Sequence, residues 1–350
     1  MHAGITYALL AAALFGASTP FAKILVNDIA PVMLAGLLYL GSGIGLMAWM
    51  GMRRLSKAGG RTDGQRLTGR DLPWLGGAVA SGGIAGPILL MIGLANTPAS
   101  SASLLLNLEG VLTALLAWFV FRENVDRRVA LGMGLIVLAG LLLAWDERPV
   151  AGPPWSAMAI AAACLCWAVD NNLTRKVSSG DAVQIAGIKG IAAGTVNLEI
   201  AFFMGIPFPE TGAVLRAGMV GFCGYGLSLV LFVLALRNLG TARTGAYFSV
   251  APFVGAAVSL ALFQDVPGAA FWIAGALMVA GIWLHLTETH SHQHAHEEMS
   301  HSHSHRHDAH HQHAHDFPWD GKEPHVHPHR HAPLIHAHPH VPDIHHRHRH

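Results

Sequence analysis

Ten predominantly apolar stretches follow one another through the first 286 residues, at about 3–26, 31–52, 73–94, 99–120, 129–145, 155–176, 182–204, 214–236, 242–263 and 268–286. Each is near the ~20 residues that a helix needs to cross a hydrocarbon core of ~30 Å. A buried soluble helix can be equally apolar, but ten in succession could not be enclosed by so little polar sequence. The expected fold class is therefore all-α and integral to a membrane, with ten transmembrane helices. From residue 288 onward the pattern changes. Aliphatic residues thin out, prolines accumulate and His-x-His repeats begin. No core can form from such a segment, so the tail is expected to be disordered. Three units follow: 1–145, 146–287 and a His-rich tail at 288–350.

Composition sharpens this division. Apolar residues make up 52% of the chain and charged residues 12%. Much of the polar content is in the tail, which leaves the first part more apolar still. Of the 25 histidines, 23 lie at or after His290. The first apolar run has small residues near Ala17 and Ser18, as a secretory signal would, but no Lys or Arg precedes it. It also has a counterpart later in the chain, so it is expected to be a retained helix. Cys164, Cys166 and Cys223 all fall inside apolar segments, which implies no disulfide framework.

The basic residues set an orientation. Links two, four, six and eight carry thirteen Lys and Arg residues, among them Arg53, Arg54, Lys57, Arg122, Arg127 and Arg175. The odd links hold only Arg148 and Arg216, apart from Lys23 at a helix end. Positive charge marks the cytoplasmic side. The expected location is the plasma (inner) membrane of a bacterium-like cell, with both termini cytoplasmic.

The first 287 residues also repeat. Phe15-Gly16-Ala17-Ser18-Thr19-Pro20-Phe21-Ala22-Lys23 parallels Trp167-Ala168-Val169-Asp170-Asn171-Asn172-Leu173-Thr174-Arg175. Asn96 to Glu123 parallels Asn238 to Asp265, and both stretches end Phe-x-acid. Five helices per copy is an odd number, so the second copy crosses the membrane in the opposite sense. Inverted repeats are a common architecture of secondary transporters, with the solute site near the midplane between halves.

On these residues the chain resembles EamA-type transporters of the drug/metabolite transporter superfamily. The resemblance is carried by Phe15 to Lys23, by Thr241-Ala242-Arg243-Thr244-Gly245-Ala246-Tyr247 leading to Ala251-Pro252, and by the acids Glu123 and Asp265. It implies export or exchange of small metabolites, amino acids or drugs. Asp170 and Asn171 depart from the small or apolar residues usual in that family's sixth helix.

Helices in lipid pack through small residues, and Gly-x-x-x-Gly occurs at Gly41/Gly45, Gly82/Gly86 and Gly190/Gly194. These pairs suit packing within the bundle and also offer a contact for a homodimer. Pro87 and Pro252 lie inside spans and are candidate hinges or static kinks.

Ionisable residues inside a bilayer are costly and usually face a cavity or a partner. Glu109 falls near mid-membrane in the fourth segment. Low dielectric disfavours its charged form, so it can take a proton on one side and release it on the other. A static Glu109 bonded to Asn107 is the bland alternative. Asp170 and Asn171 lie in the sixth segment and Lys189 in the seventh. A Lys189–Asp170 or Lys189–Glu109 ion pair would neutralise both members.

In the tail, runs such as His301, His303, His305 and His307, and again His325, His327, His329 and His331, read as metal binding. Imidazole suits Zn, Ni, Co or Cu, and many interchangeable sites imply modest selectivity. A pH sensor is the rival reading. No P-loop, nucleophile elbow or soluble catalytic domain is present, so neither an enzyme nor a primary pump is expected. No cofactor is expected in the bundle, and no nucleic acid is expected as partner.

Three functions fit: a proton-coupled or exchange transporter of a small organic solute, a transition-metal or metal-chelate transporter fed by the tail, and a membrane-anchored metal store or sensor without flux. Partners are the bilayer and a small molecule or ion. Substrate, direction and coupling ion are not legible.

Overall fold

The computed structural model describes residues 2–55, 69, 71–121, 127–146, 155–174, 177, 181–239, 244, 247–286, 290–296, 299–305, 325–331 and 334–340. Two compact units, Met1–Glu288 and Thr289–His350, divide the chain. The first is helical: α1 (His2–Val26), α2 (Pro31–Leu55), α3 (Leu72–Ala78), α4 (Gly86–Ala95), α5 (Ala99–Leu105), α6 (Leu108–Phe121) and α7 (Arg127–Asp146). There follow α8 (Trp155–Thr174), α9 (Ala182–Phe203), α10 (Thr211–Gly221), α11 (Ser228–Leu239), α12 (Ala251–Phe263) and α13 (Ala269–Leu286). Among the described residues, six helical rods are long and apolar enough to cross a membrane: Ala3–Val26, Pro31–Met52, Leu72–Ala95, Trp155–Thr174, Ala182–Phe203 and Thr211–Ala235. Shorter apolar helices run over Ala130–Trp145, Ala251–Phe263 and Ala269–Leu284.

Helix ends follow local chemistry. Asp181 Oδ1 accepts from the Val183 and Gln184 backbone N–H groups at 2.8 and 3.1 Å and caps α9. At the other end Gly205, at φ +71°, turns the chain, and the Ile206 N–H returns to the Ala201 carbonyl at 3.0 Å. The stretch expected as one helix over 99–120 breaks at Leu106–Asn107. Asn107 Nδ2 donates to the Leu104 carbonyl at 3.0 Å, alongside the Asn107 backbone N–H at 3.0 Å, and the turn tightens.

Two rods contain a wider turn. Val79–Ala85 joins α3 to α4 as π-helix, and Phe222–Leu227 joins α10 to α11 in the same way. The offset that aligns Asn96 with Asn238 also aligns Gly82 with Gly224, so the two π stretches are counterparts in the repeat. Pro87 accounts for the first. Proline cannot donate and crowds the carbonyl four residues back, which is that of Gly83. Pro87 therefore stands where the π stretch passes into α4, inside the continuous rod Leu72–Ala95, and its missing N–H leaves a carbonyl of the preceding turn to other donors. Pro252 opens α12 instead of lying inside a helix as the sequence pattern suggested.

The two copies interlock. α1 packs on the second π stretch, α11 and α12, while α8 packs on the first π stretch, α4 and α6. The crossing of α2 with α9 is glycine-mediated: a Cβ at Gly190 would come within 2.6 Å of the Gly43 backbone nitrogen. The motif glycines are used within the chain. Gly41 faces Gly218, Gly45 faces Phe222, Gly82 faces Asp170, Gly86 faces Trp167 and Gly194 faces Leu40.

The second unit has four short strands among its described residues. Strands β1 (His290–His296), β2 (Met299–His305), β3 (His325–His331) and β4 (Leu334–His340) form two antiparallel pairs, β1 with β4 and β2 with β3. A His-x-His alternation has the period of a strand, and backbone pairing can proceed where no apolar core is available.

Candidate functional site

Five segments meet at the polar centre of the helical unit: α2, the first π stretch and α6 from one copy, α8 and α9 from the other. Lys189 Nζ on α9 donates to both carboxylate oxygens of Asp170 on α8, at 2.6 and 2.7 Å. Thr174, one turn beyond Asp170, donates to its Oδ1 at 2.8 Å, and its Oγ1 lies 3.3 Å from Lys189 Nζ. Asp170 and Lys189 are both buried, at 7% exposure. Of the two pairings open from sequence, Lys189 takes Asp170.

Glu109 stands beside this pair on α6. Its Oε1 accepts from Asn171 Nδ2 at 2.8 Å. Asn107 is occupied elsewhere, with the Leu104 carbonyl and with Met278 Sδ at 3.4 Å, so the suggested Glu109–Asn107 bond is replaced by Glu109–Asn171. The consecutive residues Asp170 and Asn171 thus connect Lys189 to Glu109 across the two copies. Glu109 is half-buried and Asn171 exposed, so the chain of groups runs from the packed interior to an accessible edge. Glu199, further along α9, is exposed and outside this cluster.

Four residues of the site went unnoticed in the sequence. The π turn of Val79–Ala85 frees carbonyls, and buried donors take them up. Tyr39 Oη and Trp167 Nε1 both donate to the Gly82 carbonyl, at 2.8 and 3.0 Å. Asn197 Nδ2 donates to the Gly83 carbonyl at 3.1 Å, the one that Pro87 displaces. Thr174 completes the ion pair. Polar residues within apolar segments, Asn197 above all, were the available signal.

An aromatic group lies next to the carboxylates. Phe15 meets Trp167 edge-on at 6.3 Å and Tyr225 at 6.1 Å, and Tyr225 meets Tyr39 at 5.5 Å. Phe15 and Trp167 occupy equivalent places in the two copies, so their contact marks where the copies face each other. The glycine contacts obey the same relation. A Cβ on Gly82 would overlap Asp170, and one on Gly224 would overlap Ser18, the repeat counterpart of Asp170. The scaffold is symmetric and its chemistry is not: Ser18, Leu38 and Ala251 stand near where the first site has Asp170, Lys189 and Glu109.

Among the described residues no group of three or more His, Cys, Asp or Glu is arranged to hold a metal. In the tail the backbone register sets His301 opposite His329, His303 opposite His327 and His305 opposite His325, with Met299 opposite His331. His307 lies outside the described residues.

Comparisons with known proteins bear on the fold and the family. A solved crystal structure covers 80% of the chain and 95% of its own length at TM-score 0.59 and 17% identity, a likeness of fold. A protein of Methanothermobacter thermautotrophicus, described as an uncharacterised transporter, is 28% identical over 209 residues, 57% of this chain. The match spans 60% of that relative's own length. The uncharacterised inner membrane transporter YedA of Escherichia coli is 23% identical over 298 residues, 79% of this chain and 88% of its own. The profile of the EamA-like transporter family matches residues 2–145 and again 154–287, one match for each repeated half. With both halves matched and the two copies interlocked around one polar centre, the chain belongs to the EamA-like transporter family of the drug/metabolite transporter superfamily.

Proposed function

We propose that the protein is a secondary active transporter that exports or exchanges a small organic solute. In this reading it has ten spans, inverted halves and both termini in the cytoplasm. The carrying observation is the buried Lys189–Asp170 pair joined through Asn171 to Glu109, because its members come from both halves. A buried pair of this kind holds its charges only while both partners are present. A solute that engages either partner, or a proton on Glu109, changes the balance between the halves and couples binding to their movement. Two inverted copies supply the two conformations, and the π stretches Val79–Ala85 and Phe222–Leu227 are the hinges.

The tail's His register favours a second role, buffering Zn, Ni, Co or Cu through interchangeable imidazole sites. One set of strains separates the readings: full-length protein, residues 1–289, and Glu109→Gln at matched membrane levels. In everted vesicles, solute-dependent proton movement is expected for full-length and truncated protein and to be lost in Glu109→Gln. Cell-associated metal should follow the tail and ignore Glu109. If Glu109→Gln abolishes a change in one metal, metal is the cargo and the organic-solute reading fails.

A further inference from the structure

The two π stretches share one bonding pattern. In the first, the Gly86 backbone N–H bonds the Ser81 carbonyl, five residues back. In the second, the Ser228 N–H bonds the Cys223 carbonyl in the same way. An α-helix would send these N–H groups four residues back, to the Gly82 and Gly224 carbonyls. At Gly82 that carbonyl is already taken. Tyr39 Oη and Trp167 Nε1 donate to it at 2.8 and 3.0 Å, and a carbonyl oxygen has two lone pairs. Closing the first stretch toward α-helix therefore has to displace one of two aromatic donors. Ser81 adds a further tie, its Oγ donating to the Cys166 carbonyl on α8 at 2.8 Å.

The same two aromatics reach the second stretch. The Tyr39 ring lies 5.5 Å from that of Tyr225, which is itself part of Phe222–Leu227. Trp167 meets Phe15 edge-on at 6.3 Å, and Phe15 meets Tyr225 edge-on at 6.1 Å. All three separations fall within the roughly 4.5–7 Å over which aromatic pairs attract. Tyr225 thus stands at the far end of two paths from the Gly82 carbonyl, one through Tyr39 and one through Trp167 and Phe15. The helix packing runs the same way. α8 lies on the first stretch, and α1 and α2 lie on the second. A donor displaced from Gly82 moves a ring on which Tyr225 rests, directly or through Phe15.

We infer that Tyr39 and Trp167 are positioning residues that link the two π turns, so that the stretches of the two copies open and close together. Tyr39 holds the first turn with its hydroxyl and leans on the second with its ring. Trp167 does the same with its indole N–H and, through Phe15, its ring. It also stands three residues before Asp170 on α8, so a displacement at the Lys189–Asp170 pair is passed to the same link. Calling the stretches hinges rests on the transporter reading; their linkage is tested without any solute.

Hydrogen–deuterium exchange of the full-length protein in nanodiscs tests this. Tyr39→Phe keeps the ring and removes only the hydroxyl. Amides across 79–86 are expected to exchange about three- to tenfold faster, the effect of one lost hydrogen bond. Amides across 222–228 should also speed up, although the lost bond is not there. Trp167→Phe should act on the same two segments. Tyr225→Leu attacks the link from its other end and should speed exchange across 79–86. These two variants decide the matter if Tyr39→Phe does not fold. α7 and α13 carry none of the four rings and should exchange as in the parent protein. Faster exchange confined to 79–86 in Tyr39→Phe and Trp167→Phe, with Tyr225→Leu acting on 222–228 alone, overturns the link. No change at either turn overturns the role of the Gly82 carbonyl, and with it the link. A rise spread equally over α7 and α13 shows general loosening and overturns it too. Linked exchange in a protein that carries no solute would remove the transporter reading and leave the link standing.

Discussion

Lys189 and Asp170 hold each other in a place where neither would be stable alone. Removing one partner strands a buried charge, which costs about 3–5 kcal/mol, whereas replacing both by uncharged residues is often close to neutral. Asp170→Asn and Lys189→Met are each expected to lower thermal stability by that amount, and the double variant to recover most of it. Transport should remain lost in all three. A double variant as unstable as the singles would show that the site cannot accommodate a neutral pair. Gly82, which faces this site, and its repeat counterpart Gly224 make a second case. A Cβ at Gly82 overlaps Asp170 and one at Gly224 overlaps Ser18. Gly82→Ala and Gly224→Ala should each cost about 1–3 kcal/mol by overpacking, with the larger loss at Gly82, where a carboxylate already committed to Lys189 must move. Gly134→Ala is the control. It meets nothing within 4 Å in the middle of a helix and should gain about 0.5–1 kcal/mol, read from detergent-solubilised melting curves.

The π stretches make two rods deformable at matched places. In Val79–Ala85 the displaced carbonyls are held by side chains from α2, α8 and α9, so the turn is tied to both copies. Pro87→Ala restores a backbone donor and allows the rod to close toward α-helix. The expected outcome is near-normal stability with slowed turnover, measured as flux against melting temperature. Unchanged flux would assign the kink a static role. The second π stretch has Leu229 at the place of Pro87, and its glycines instead let the backbone approach Ser18 and Ser42. The same turn is therefore reached by two sequence routes.

The two copies interlock through α1, α8 and the π stretches, and the proposed inverted topology is open to a labelling test. Cysteines placed at Ser56 and Asn124 should label from the cytoplasmic side with an impermeant maleimide, and those at Asn27 and Asn96 from the outer side. Labelling of all four from one side would remove the inverted topology. Hydrophobic period, link charge and the two matched motifs were enough to read a repeated helical membrane protein, because a bilayer constrains span length and loop charge residue by residue. Glu109, Asp170, Asn171 and Lys189 were also legible, since a charge or an amide within an apolar run has few innocent explanations. Sequence could not choose the partner of Lys189, because Asp170 and Glu109 are both plausible along the chain and only the packing of α6, α8 and α9 separates them. Nor could it show Tyr39, Trp167 and Asn197 converging on two π-turn carbonyls, or the Phe15 and Tyr225 rings meeting. Those contacts join residues scores to hundreds of positions apart, and their distances depend on how the helices cross.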